Sequence, residues 1–106
     1  MKAEVLKGHL EMLLLASVGA GAAHGYALIR RLREASGGLL DLPEGTLYPA
    51  LHRLEAAALV ASDWETAGGR RRRVYRLTPA GRRALARERS EWGAFAGAVE
   101  SVLETL

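Results

Sequence analysis

Cysteine is absent from the 106 residues, so neither a disulfide nor a thiolate metal site can form. No apolar run approaches the roughly 18 residues that a membrane span needs, and residues 12–16 read as a buried helical segment. A charged start followed by an apolar stretch and a cleavage site is also missing, and with the lack of cysteine this leads us to expect a reducing, cytoplasmic location without membrane contact. The parts of a catalytic centre are missing too. His9, His24 and His52 are scattered, with no serine or carboxylate spaced with them as a catalytic or metal constellation and no phosphate-cradling glycine loop. The expectation is a protein that is not an enzyme and uses no metal and no cofactor.

Acid is the next scarcity, and it is local. The chain carries a net charge of +3 with a pI near 9.8, but its first 57 residues balance six basic against six acidic side chains. Between positions 70 and 89 nine arginines face one acid, Glu88. Such a local excess is the electrostatic footprint of a phosphate-binding surface, with a merely solvated basic face as the plain alternative. At 49% hydrophobic and 25% charged, the chain suits one domain around a single small core.

The organising stretch is LPEGTLYPALHRL, residues 42–54. At about 100° per residue, Leu47, Ala50, Leu51 and Leu54 fall on one arc, while Gly45, Tyr48, Pro49, His52 and Arg53 point the other way. The second face is compact, hydrogen-bonding and positive, as suits a helix lying against a large polyanion. Because Pro49 has no N–H to donate, it is expected in the first helical turn, with Thr46 as N-cap and residues 43–45 as a tight lead-in turn. An ordinary amphipathic helix would show the same periodicity.

Around this helix the chain reads as follows. Residues 3–18 carry Val5, Leu6, Leu10, Leu13, Leu14 and Val18 at helical intervals and stop at Gly19 and Gly21. Residues 24–35 form a second helix, with Leu28, Ile29, Leu32 and Ala35 inward and Tyr26, Arg30 and Arg33 outward, stopped by Ser36, Gly37 and Gly38. Together with the 42–54 helix this makes a helix-turn-helix with a long connection. Residues 59–66 and 73–78 are short, β-forming runs, the first with Leu59, Ala61 and Trp64 placed for burial. Between them lie two glycines and three arginines, so the pair reads as a hairpin, a wing whose tip displays Arg70, Arg71, Arg72 and Arg73. Arginines crowded this way repel one another unless an anion is near, and their planar fork binds phosphate oxygens in pairs.

Thr78 and Pro79 supply an N-cap and a first-turn proline for a final helix. Leu85, Trp92, Phe95, Val99, Val102 and Leu106 follow at steps of seven, three, four, three and four, the seam of a coiled coil, and the economical reading is dimerisation, with a helix folded back on its own core as the alternative. The expected architecture is mainly α with a small β-hairpin: a winged helix-turn-helix over residues 1–78 and a C-terminal dimerisation helix over 79–106, in one compact unit.

Several motifs together resemble the PadR family of bacterial winged-helix transcriptional regulators: Leu6, Lys7 and Gly8; His24, Gly25 and Tyr26; GTLYPALHRLE at 45–55; Leu59 and Val60; and Tyr75, Leu77, Thr78 and Gly81. Leu42 departs from the pattern, standing before Pro43 where members often carry a polar cap. The single short tail helix is similar to the compact branch of that family. The resemblance implies a homodimeric repressor that reads a pseudo-palindromic operator in double-stranded DNA. Gly45, Thr46, Tyr48, His52 and Arg53 would face DNA from the recognition helix, and Arg70 to Arg73 from the wing. It also implies release by a planar hydrophobic effector held by Trp92 and Phe95 between tail helices. The rival reading is a winged helix used only for protein contacts.

Overall fold

In the computed structural model, Leu6 and residues 8–106 are described. Val5 and Lys7, named above for the first helix and its motif, lie outside the described residues. Helix α1 (Leu10–Gly19) is apolar on nearly every side and buries Leu14, Leu15 and Val18, as a helix without a polar face must. Its one buried polar side chain, Ser17, donates to the carbonyl of Leu28 at 3.1 Å. Arg31 closes its C-terminal end by donating to the carbonyl of Ser17 and, at 2.9 Å, to that of Gly21.

A two-residue strand β1 (Ala23–His24) leads directly into helix α2 (Gly25–Ala35), whose Leu28, Ile29 and Leu32 face the core. His24 doubles as N-cap, its Nδ1 accepting from the amide of Ala27 at 3.4 Å. The chain leaves α2 through Gly37 and Gly38, both at positive φ, and Arg33 holds Asp41 at 3.1 Å across the connection.

Helix α3 (Glu44–Ala56) starts about one turn earlier than its sequence suggests. Pro43, extended at φ −71° and ψ 150°, is the N-cap, and its carbonyl accepts from the amides of Thr46 and Leu47. Thr46 is therefore the third helical residue, not the cap, and Pro49 sits inside the helix. The early start follows from Leu42, which is buried alongside Leu47. These positions, before the cap and four residues into the helix, form a hydrophobic staple that replaces the absent polar cap. Pro49 leaves the Gly45 carbonyl without its regular donor, at a cost the packing of Leu47, Ala50, Leu51 and Leu54 offsets. The far end closes as a Schellman motif: Leu59 N–H bonds the Leu54 carbonyl at 2.9 Å, Ala58 N–H bonds that of Glu55 at 2.9 Å, and Ala58 takes φ 60°.

Strands β2 (Val60–Ala67) and β3 (Arg70–Leu77) pair antiparallel through eight residues each, and β1 adds to the far edge of β3, giving the order β1-β3-β2. The turn is only Gly68 and Gly69, at φ 59° and 76°. Two consecutive positive φ values match the twist of a two-residue hairpin and favour glycine. The arginines that the sequence suggests for the loop are thus in β3, with Arg70 paired to Ala67 and Arg73 to Trp64. On β2 it is Val60 that is buried, while Trp64 is 56% exposed.

Helix α4 (Pro79–Thr105) runs 27 residues, about 40 Å at 1.5 Å per residue. Thr78 caps it, accepting from Gly81 N–H at 3.0 Å and donating to the carbonyl of Ala58 at 2.7 Å. Gly81 lies so close to the α3–β2 junction that a β-carbon there would sit 2.0 Å from the Leu59 carbonyl oxygen. Only Gly81 and Ala84 of α4 are buried, with Leu85 packed against the core. The rest projects outward: the radius of gyration is 15.2 Å, against about 13 Å for a compact chain near this length.

Candidate nucleic-acid interface

The outward face of α3 presents Gly45, Tyr48, Pro49, His52 and Arg53, all exposed, with Thr46 half-buried at its first turn. Apolar burial of Leu47, Ala50, Leu51 and Leu54 on the opposite side fixes which residues face out. Tyr48 is further constrained, because a β-carbon at Gly25 would lie 2.6 Å from its hydroxyl oxygen. The absence of a side chain at Gly25 therefore lets the Tyr48 ring cross the joint between the two helices while remaining 45% exposed. The side chains of His52 and Arg53 have no hydrogen-bond or ion-pair partner among the described residues.

The wing arginines divide by strand face. Arg71 and Arg73 share a face with buried Tyr75 and Leu77, and Arg70 and Arg72 share the other with Val74. Arg73 is engaged internally: its Nε donates to Ser62 Oγ at 2.8 Å, Ser62 donates to Glu55 at 2.5 Å, and Arg73 Nη2 lies 4.0 Å from Glu55. Arg76 pairs with Asp63. The side chains of Arg70 and Arg72 have neither an ion pair nor a hydrogen bond among the described residues. The wing's field reaches His24, whose pKa lies below the usual imidazole value through burial first, then Arg72 and Arg30. A neutral ring keeps the Nδ1 lone pair that caps α2.

Helix face and wing meet in two adjoining grooves. One, of about 650 Å³, runs between Tyr26, Tyr48, Trp64 and the arginines of β3. The second, of about 570 Å³, lies between His52, Glu55 and Arg73, and both share Tyr48 and Tyr75. The result is one concave surface with aromatic walls and a positive rim, the form and charge of a surface that grips a phosphate backbone beside a reading helix. Tyr26 and Trp64 belong to it although the α3 pattern gave no signal for them. Among the described residues no three histidines or acids approach as a metal site would require, and no helix is long and apolar enough to cross a membrane.

The tail carries a separate feature. Trp92, Phe95, Val99, Val102 and Leu106 are exposed along α4, and Leu103, outside the predicted seam, widens the stripe. Trp92 stands edge-on to His9 with centroids 4.9 Å apart and lies 6.1 Å from Phe95. These rings, with Met12, Glu11, Glu88 and Glu91, line a pocket of about 300 Å³ between α1 and α4. One Glu88 oxygen is buried there without a hydrogen-bond partner among the described residues. Its carboxyl is pushed above the usual range by burial first, and then by Glu11 and Glu91, with Arg87 opposing.

Comparison with known proteins identifies the family and the fold. The Transcriptional regulator PadR-like family matches residues 14–87. A PadR family transcriptional regulator from Eggerthella lenta superimposes with a TM-score of 0.84 at 35% identity, over 97% of this chain and 88% of that one. A PadR-like transcriptional regulator of Bacillus cereus gives 0.84 at 26% identity, over 98% of this chain and 100% of its own. A transcriptional regulator of Mycobacterium tuberculosis is 62% identical over 45 residues, which is 42% of each chain. An uncharacterized transposon protein of Streptomyces fradiae is 40% identical over 84% of this chain but only 24% of its own length. The match thus spans less than half of either of these two relatives.

Proposed function

We propose that this chain, which belongs to the PadR-like family of transcriptional regulators, is a homodimeric repressor that reads a pseudo-palindromic operator in double-stranded DNA. The supporting observation is the shared concave surface: the exposed Tyr48 and His52 of α3 and Arg70, Arg71 and Arg72 of β3 open onto adjoining grooves, while Arg53, exposed on the same helix, lies beside them on the side of Leu10 and Glu11. An α-helix fits the major groove, where Arg53 and His52 reach base edges, while the wing holds phosphates. Two-fold pairing through the apolar stripe of α4 would space two recognition helices roughly 34 Å apart, one turn of duplex. Such pairing would also cover Phe95, Val102 and Leu106, which the chain alone leaves in water.

A planar hydrophobic effector seated beside Trp92 and Phe95 would release DNA, provided it binds a dimer geometry in which the reading helices no longer match the groove spacing. The test is fluorescence anisotropy on the duplex upstream of the chain's own gene, against a scrambled duplex of equal length. Nanomolar, salt-sensitive binding to the former and at least about a thousandfold weaker binding to the latter is expected. Equal affinity for both duplexes would overturn sequence-specific reading, and a monomer in sedimentation at the same concentrations would overturn the dimer.

A further inference from the structure

Trp64 is a large aromatic residue on a hairpin that extends past the core, and the residue is 56% exposed. Leaving that much indole in water is unfavourable, and the ring is not part of the core cluster. What it does touch is cationic. The Arg71 guanidinium carbon lies 4.7 Å from the ring centroid and that of Arg73 lies 5.1 Å away. Cross-strand register explains both contacts, because Arg73 is directly opposite Trp64 and Arg71 is the next residue on the same face.

The two arginines differ in what else holds them. Arg73 is tied to α3 through Ser62 and Glu55, so its charge is largely answered within the protein. Arg71 has no carboxylate partner among the described residues, and its guanidinium rests on the Trp64 ring. A guanidinium lying against an aromatic face keeps its N–H donors directed outward, whereas a carboxylate would consume them. Ring stacking is thus a way to orient an arginine while leaving its donors and its charge available.

We propose that Trp64 is a positioning residue for DNA binding: it holds Arg71 over the groove between wing and α3 to receive a phosphate, while Arg73 is an anchor tying the wing to the recognition helix. This rests on the DNA-binding reading above. Arg71 then contributes to the salt dependence of binding and Arg73 does not.

The test uses the full chain in anisotropy titrations on its operator duplex between 50 and 200 mM salt. Trp64→Leu, which keeps an apolar side chain and removes the aromatic face, should weaken binding of the dimer about five- to thirtyfold, the value of two exposed cation–π contacts, and Trp64→Phe should recover most of it. Arg71→Ala should lower the salt slope by about 0.9 for each phosphate the arginine neutralises, and Arg73→Ala should leave it unchanged. In the Arg71→Ala background, Trp64→Leu should have no further effect. Additive losses in that double variant, or equal binding by Trp64→Leu and the parent, would overturn the positioning role while leaving DNA binding intact. A parent chain that ignores duplex DNA at 50 mM salt would overturn both.

Discussion

Replacing Arg70 and Arg72 together by alanine tests the wing with little risk to the fold. Both side chains are exposed on the strand face away from Trp64, and neither has an ion pair or hydrogen bond among the described residues. The backbone pairing of Arg70 with Ala67 and of Arg72 with Glu65 does not depend on them. If each neutralises one phosphate, the dimeric variant gives up four phosphate contacts, and the slope of log affinity against log salt becomes shallower by about 3.6. Over a fourfold rise from 50 to 200 mM, the gap between parent and variant then narrows by roughly 150-fold, large enough to survive errors in individual dissociation constants. A chain that bound as a monomer would give up two such contacts and show a change of about 1.8, so the same titration also reports stoichiometry. Parallel salt lines for parent and variant would refute the reasoning, since they would mean that these charges never displace counterions. Circular dichroism and an unchanged melting midpoint would exclude a damaged hairpin as the cause.

Three further outcomes follow from local geometry. Gly81→Ala would force a β-carbon against the Leu59 carbonyl, a backbone atom that cannot swing aside, and should cost about 3 kcal/mol or more in urea unfolding; a loss below about 0.5 kcal/mol would refute the clash. Ala58→Gly should stabilise by about 0.5–1 kcal/mol, because Ala58 holds a left-handed φ of 60° in the Schellman motif, and the gain should appear as a melting point higher by about 3–6 °C. Glu88→Gln should raise stability near neutral pH. The folded-state pKa of Glu88 lies above its unfolded value, so ionising it on going from acid to neutral pH removes stability that the glutamine retains. The difference between Glu88→Gln and parent should shrink as pH falls through the carboxylate range, and a pH-independent difference would refute this assignment.

Much of the fold was legible because its signals are periodic or chemically forced. The Leu47–Leu54 arc, the Thr78 cap with Pro79 behind it, and the Gly68-Gly69 turn each follow from a local rule that the structure obeys. The departures have a common origin in contacts distant in sequence. Pro49 suggested a helix start near Thr46, but burial of Leu42 beside Leu47 starts α3 about a turn earlier and carries the proline inside. Strand β1 is two residues long, too short to show alternation, and exists because β3 offers it an edge. Arg70 to Arg72 looked like part of a loop because charge favours solvent, yet pairing eight residues across a two-residue turn draws them into β3 beside Arg73. In the proposed DNA-facing surface, α3's outward residues were readable from helical phase alone. Trp64 was not, since its partners are set by cross-strand register.

The junction at Thr78 bears on how a tail ligand could reach the reading head. Thr78 follows β3 directly, caps α4, and donates to the carbonyls of Ala58 and Leu59 at the end of α3. Gly81 packs one helical turn later against the same Leu59 carbonyl. Wing, α3 and tail therefore share one hydrogen-bonded joint, and a rotation of α4 about its first turn cannot occur without moving its neighbours or breaking that joint. The lower-cost response to a ligand wedged beside Trp92 is movement of each protomer as a body relative to its partner. On the proposed dimer, that changes the spacing of the two reading heads and leaves each head intact. A Thr78→Ala variant loosens the joint and should weaken the coupling between effector and DNA more than it weakens DNA binding itself, measured as the ratio of DNA affinities with and without a planar dye. An unchanged ratio would mean that the joint plays no part in transmission.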